Sequence, residues 1–440
     1  MPSVLSRPLA LDPLAGSARD FLVGPGPDLT AKACAFSAWH DSRVAHGGFP
    51  FYKRLLSASG PEATVRHLDG TVVAGINFAS QDYLGLAGHP EVRAAAVAAI
   101  ERYGVHSAGA PVLAGSLDLA DQLESVVGDH LRTPYVTLYP TGWAAGYGIV
   151  RGLVRDTDHV VIDQLAHNCL QEGAAVSTRN LHVFRHLDLA HARLKLAAIR
   201  AKDPHSGILV AIESLFSMDS DSPDIAGFQA ACREFGALLV VDVAHDLGSL
   251  GPQGTGQLGL QNMLGKVDLV MGSFSKTFAS NGGFVATHRR EIRDYLRYVS
   301  PPATFSSALS PVQLAVALST FGLVRSAEGE RRRRTLMAAV QVLRAGLARR
   351  EMDVMGAPSP IVPILIGRDD VAREAARLLS RAGVLANLIE YPAVSRATAR
   401  FRLQVMCSHD PEACESAAMR VAGSIAQARK LSSRRRGVAA

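Results

Sequence analysis

Between residues 135 and 286 one unit recurs: a short, nearly unbroken apolar run, a stretch of helical character, then another apolar run. The runs are YVTLYP (135–140), HVVID (159–163), LHVFRH (181–186), GILVAIES (207–214), ALLVVDVA (237–244), VDLVMGSF (267–274) and GGFVA (282–286). A strand that is apolar on both faces cannot turn either face to water, so it needs helices above and below it. Helices between successive strands supply that cover and make the crossovers parallel. The expected architecture is α/β, a large domain over 61–310 built on a mostly parallel seven-stranded sheet. Open sheets of this kind bind ligands beyond the C-terminal ends of their strands. The residues that close each run are therefore the first place to look for chemistry.

The flanks read differently. Residues 1–60 form an arm broken by Pro8, Pro13, Gly24, Pro25, Gly26 and Pro27, with a helix expected over 29–45. VRHLDGTVVAGINF (65–78) reads as a hairpin turned at Asp69 and Gly70. A helix over 90–102 and a Gly-rich stretch over 104–115 lead into the central block. After 311 a basic helix (331–350) precedes strands at 361–367, 384–390 and 399–406, with helices over 370–382 and from 411 onward. That pattern predicts a smaller α+β domain over 311–430 and a disordered tail over 431–440.

With 440 residues, 48% hydrophobic and 20% charged, the chain has the composition of a globular protein large enough for two domains. The net charge of +6 gathers partly in two arginine runs, 331–334 and 434–436. Neither accompanies a recognition motif, so they read as a solvated helix start and a frayed tail, and no nucleic-acid partner is expected. The mild positive charge suits an anionic substrate. Five scattered cysteines, odd in number and without a CxxC pair, predict neither a disulfide framework nor a bound metal. No apolar run reaches the ~20 residues that span a bilayer. The N-terminus has no secretory pattern, and the expected location is the cytoplasm.

Lys276 follows a buried apolar run directly, in Ser273-Phe274-Ser275-Lys276. A lysine in such a place either reaches solvent or serves as a desolvated amine that condenses with an aldehyde. Asp242 closes LLVVD, where a carboxylate would hold a pyridine nitrogen protonated as an electron sink; taken alone, it reads first as a turn or helix-capping aspartate. Each feature is ambiguous, but together they place an amine and an acid at the ends of two strands, with His245 beside them. Thr141-Gly142-Trp143 adds a strand-to-helix turn whose N–H groups suit a phosphate. His167, just past another strand end, could lie over an aromatic ring or be an ordinary structural histidine.

With these residues in place the chain resembles the α-oxoamine synthases, a branch of the fold-type I pyridoxal 5'-phosphate transferases. The resemblance runs from about Phe78 to Ser408. It rests on seven ordered motifs: DYLGLAGHPEV (82–92), YPTGWAAG (139–146), IDQLAHN (162–168), ESLFSMDSD (213–221), VDVAHDLGSLGPQGTG (241–256), GSFSKTFASNGG (272–283) and ARFRL (399–403). It implies a cofactor, pyridoxal phosphate, bound as a Schiff base by Lys276, which later moves protons. By the same resemblance Asp242 pairs with the pyridine nitrogen, His167 stacks on the ring, and His245 bonds its phenolic oxygen. Ser217 lies close to the cofactor, and Ser273 holds the phosphate with the backbone of Gly142 and Trp143. Ser307 reaches the phosphate of a neighbouring subunit. Arg402 takes the amino-acid carboxylate, and Gln81 stands near the substrate.

The activity implied is a decarboxylative condensation of an amino acid with an acyl thioester, on coenzyme A or a carrier protein, in a homodimer with a shared active site. An aminotransferase, a synthase of a signalling or secondary-metabolite aminoketone, and an inactive regulatory subunit are the alternatives. The intact Lys276 and Asp242 speak against the last. Four places depart from the family pattern: Val243 for an acid, Asp246 for a small residue, Gln81 for an asparagine, and Gly109-Ala110-Pro111 for Gly-Ser-Arg. They leave the cofactor contacts intact and loosen any transfer of substrate identity.

Overall fold

The computed structural model describes residues 12–24, 26–47 and 49–439; Pro8 and Pro25, two of the expected breakers, lie outside them. The chain divides into two compact units. One is Gln81–Met337; the other joins the described residues up to Ser80 with those from Ala338 onward.

The larger unit holds the expected seven-stranded sheet. Its spatial order is Tyr135–Tyr139, Gly283–Thr287, Leu269–Ser273, Leu238–Asp242, Ile208–Glu213, His159–Asp163 and Asn180–Phe184. Neighbours are parallel except Gly283–Thr287, which runs antiparallel to both of its partners. Four of the strands are buried at every position, as unbroken apolar runs require. Val160, Ile162, Leu209, Val240 and Met271 pack into a core with Ala145 and Ile149 of helix Gly142–Leu153 and with Leu170 and Ala174 of helix Asn168–Ser177. Leaving five such side chains in water would forfeit about 1.5–3 kcal/mol each.

The arginine run 331–334 departs from its solvated reading. Arg333 is only 4% exposed. Its Nη1 donates to the carbonyls of Val324 (2.8 Å) and Gly248 (3.4 Å), and its Nη2 pairs with Glu330 at 2.8 Å. Arg332 donates to the Leu84 carbonyl and pairs with Glu328. Both Arg333 Nη groups find acceptors, one of them a carbonyl at the end of helix Pro311–Arg325, and the Glu330 carboxylate answers the buried charge.

The smaller unit corrects the expected boundaries of 60/61 and 310/311, because it is assembled from both chain ends. The hairpin Glu62–Arg66 and Val72–Asn77 turns at Asp69 and Gly70 as expected, with Gly70 at φ 87°. Val72–Asn77 then pairs in parallel with Val384–Leu385. Arg373, on helix Asp369–Arg381, donates to the carbonyls of Leu14 and Gly16 and to Glu390, which also receives Arg43. These long-range bonds bind the arm to the C-terminal residues. A three-stranded sheet, Ile361–Gly367, Ala399–Gln404 and Asn387–Ile389, completes the unit. Residues 431–439 of the expected disordered tail are instead part of the helix Pro411–Ala439, and Ala440 lies outside the described residues.

Candidate active site

A cleft of about 230 Å³ opens at the C-terminal ends of the larger unit's strands, where the sheet argument places a ligand site. Lys276, Asp242, His245, His167, Ser273, Gly142 and Trp143 all line it. The sequence spreads these residues over 135 positions, and the fold gathers them.

Thr141 caps helix Gly142–Leu153, its Oγ1 accepting from the backbone N–H of Ala144 at 3.0 Å. The first N–H groups of that helix, those of Gly142 and Trp143, thus begin a helix at the wall of the cleft, where the dipole favours an anion. Glycine is required here. A Cβ on Gly142 would stand 2.4 Å from Cβ of Ser273 and 2.6 Å from its Oγ. Ser273 Oγ in turn lies 2.7 Å from Ser275 Oγ and accepts from the Ser275 N–H at 3.2 Å. A helix start and two serine hydroxyls therefore converge on one spot. Trp143, 46% exposed, stacks on Tyr147 and donates its indole N–H to Asn168.

His167 caps the next helix, Asn168–Ser177. Its Nδ1 accepts the backbone N–H of Cys169 at 3.3 Å and lies 3.0 Å from Cys169 Sγ, which fixes the ring at the cleft wall. Tyr83 does the same for His245, with 3.0 Å between the phenol oxygen and Nδ1.

The acids are the distinctive part. Asp242 and Glu213 stand opposite each other in register on adjacent strands, 5% and 1% exposed. Burial pushes the Asp242 carboxyl up, and the charges of His167 and Lys276 pull it back. Burial, and then the charge of Asp242, push Glu213 well above the usual range. Lys276 pulls on both acids and His167 on Asp242 besides, so Asp242 keeps its charge more readily than Glu213. Glu213 Oε2 accepts the backbone N–H of Ser217 at 3.2 Å, which ties the turn carrying Ser217 to the sheet. Asp246 is wholly buried. It accepts from the Ser214 hydroxyl and the Gln257 N–H, each at 2.6 Å, and burial pushes it up to about 7.

These features fit pyridoxal phosphate. The helix start and Ser273 suit its phosphate, buried Asp242 suits its ring nitrogen, His167 its ring face, and Lys276 its aldehyde carbon. Glu213, Tyr83, Asp246 and Ser275 were not singled out as site residues from the sequence. Glu213 had the same signature as Asp242, an acid closing an apolar run. Tyr83 had none, since its partner is 162 residues away.

The other candidates lie elsewhere. Ser307 lines a separate cavity of about 200 Å³ with Pro111, Tyr139 and Leu309. Gln81 is half-buried at the start of the larger unit. Arg402 belongs to the smaller unit, half-buried on strand Ala399–Gln404 opposite Asn387 and Pro363.

Comparison with known proteins agrees with this geometry. The family model described as aminotransferase class I and II matches residues 73–421. The 8-amino-7-oxononanoate synthase of Citrifermentans bemidjiense is 33% identical over 367 residues, 83% of this chain and 92% of that protein. That of Klebsiella pneumoniae (strain 342) is 36% identical over 338 residues, 77% and 86%. Among solved structures, a serine palmitoyltransferase from S. paucimobilis superposes with a TM-score of 0.85 at 24% identity, covering 91% of this chain and 99% of that one. The 8-amino-7-oxononanoate synthase of Francisella tularensis gives a TM-score of 0.68 at 20% identity, covering 80% and 98%. The two structures share the fold.

Proposed function

The chain belongs to the class I and II aminotransferase family, in its α-oxoamine synthase branch, and on that premise we propose that it joins an amino acid to an acyl thioester with loss of carbon dioxide, giving an α-aminoketone. The observation that carries the proposal is the shared cleft of Lys276 and Asp242, an amine and a buried acid at the ends of neighbouring strands. The relatives' name supports condensation over transamination, because 8-amino-7-oxononanoate has its amine on the carbon next to a ketone.

Bound pyridoxal phosphate supplies an electron sink for negative charge at the amino acid's α-carbon. The protein's part is to place groups. Lys276 Nζ takes the proton from that carbon and returns one to the product. Asp242, ionised among His167 and Lys276, holds a proton at the ring nitrogen. His245, oriented by Tyr83, donates toward the phenolic oxygen, and Ser217 lies close by. The N–H groups of Gly142 and Trp143 and the Ser273 hydroxyl hold the phosphate. The fork of Arg402 takes the amino-acid carboxylate in bidentate fashion, with Gln81 near the substrate.

A homodimer, in which Ser307 of each subunit serves the other's phosphate site, belongs to the same reading. Its support is the exposure of Phe305 (84%) and Leu113 (81%), each within two residues of one that lines the Ser307 cavity. The acyl group rides on coenzyme A or a carrier protein, and the net charge of +6 suits either anion. The five cysteines, none in a disulfide, suit the reducing cytoplasm.

The test is an assay of thiol and carbon dioxide release across a matrix of amino acids and acyl thioesters. One pair should release both in equal amounts and leave a ketone carrying the amino acid's nitrogen. Steady turnover with a keto acid and no thioester would hand the case to an aminotransferase.

A further inference from the structure

One histidine joins the loop that leads to His167, on the cleft wall, to the turn that carries Ser217. Asp163 closes strand His159–Asp163 and is 1% exposed. Its Oδ1 accepts the N–H of Leu165 at 2.8 Å, on the loop that leads to His167, and its Oδ2 accepts the N–H of Leu187 at 2.9 Å. His186 stands between this carboxylate and a second one. Its Nδ1 is 2.9 Å from Asp163 Oδ1, and its Nε2 is 3.1 Å from Asp221 Oδ2. The ring also meets Phe216 edge-on, with centroids 4.5 Å apart at 86°.

Phe216 and Asp221 bracket the turn that carries Ser217. The Phe216 N–H donates to the Asp221 carbonyl at 2.9 Å, and the Ser220 N–H to that of Phe216 at 2.9 Å. An imidazole with a carboxylate at each nitrogen must donate from both, which only the imidazolium does. Burial alone would push that cation's pKa down, but the hydrogen bonds to Asp163 and Asp221 outweigh it and hold the ring up to about 10.

We propose that His186 is a positioning residue that clamps the loop carrying His167 to the turn carrying Ser217, so that both side chains reach one cofactor together. The proposal rests on the cofactor reading above and touches neither the substrate nor the reacting atoms. A purely structural ion pair would affect stability alone. Asp158 offers that comparison: at the opposite end of the same strand it is held by Arg155 and the Gly207 N–H, away from the cleft.

The experiment titrates apoprotein with pyridoxal phosphate and records the bound cofactor's absorption spectrum. The set is wild type, His186→Ala, Asp221→Ala, their double variant, and Asp158→Asn. His186→Ala should raise the cofactor's dissociation constant by up to about 100-fold, the scale on which small misplacements act, and shift the absorption band. The double variant should be no worse than His186→Ala, since both break one clamp. Asp158→Asn should lower the melting temperature with cofactor affinity unchanged. Wild-type affinity and spectrum in His186→Ala, or losses that multiply in the double variant, would overturn the clamp. If His186→Ala does not fold, Asp221→Ala is judged by the same two readouts. Normal cofactor binding by wild type without thiol release would sink the synthase reading and leave this test standing.

Discussion

At the starting ends of the large sheet's strands, Asp158 is gripped by Arg155 at 2.7 and 2.9 Å, and its carboxyl is pulled down to about 2 by those bonds. Asp268, at the start of a strand three places across the sheet, accepts from Gln229 and from the Leu239 N–H. At the finishing ends of the same sheet, Asp242, Glu213 and Asp246 are buried, and burial pushes all three up. Asp158 and Asp246 are thus the same residue type shifted in opposite directions. Arg155 answers Asp158 away from the cleft, whereas Asp242 stands with His167 and Lys276 at the cleft wall, where a cationic ligand group would sit.

The strongest way to break that comparison is Asp242→Asn, which keeps the shape and removes the charge. Turnover should fall about 10²–10⁴-fold, measured as thiol release. Near wild-type turnover would mean the finishing-end acid has no electronic role. Next is Arg402→Ala, which removes the cation proposed to meet the substrate rather than the sheet. Amino-acid binding should weaken by roughly 2–5 kcal/mol with cofactor content unchanged, read by titrating holoenzyme spectroscopically. Unchanged amino-acid affinity would redirect the search to Arg396 or Arg400.

The smallest effects sharpen the contrast through pH. Asp158 has its folded pKa lowered from 3.8 to about 2, so its stabilisation is present above 3.8 and lost as pH falls through about 2. Asp246 is raised from 3.8 to about 7, so its stabilisation is present below 3.8 and lost as pH rises through about 7. Chemical denaturation of Asp158→Asn and Asp246→Asn against wild type, from pH 2 to 8, should therefore give stability differences that slope in opposite directions, the first between about pH 2 and 3.8 and the second between 3.8 and about 7. Parallel slopes would show that the two ends are not electrostatically distinct.

Much of this was legible in the sequence because it is local. Apolar runs named all seven strands, and the residue closing a run named Asp242 and Lys276. What escaped depends on which distant segments meet. The hairpin at 62–77 finds its parallel partner at 384–385, so the smaller unit's membership could not be read from either end alone. Arg333 looked solvated in a run of arginines, and it is buried because carbonyls of Val324 and Gly248 meet it. Glu213 became a site residue only through its register with Asp242, and His186 only because Asp163 and Asp221 close on it from two loops.

The central claim is that the finishing ends hold pyridoxal phosphate on one lysine. Purified protein should be yellow, and borohydride reduction followed by peptide mass spectrometry should find the cofactor bonded to Lys276, with the adduct absent in a folded Lys276→Ala variant. A reduced adduct on any other lysine would contradict the account.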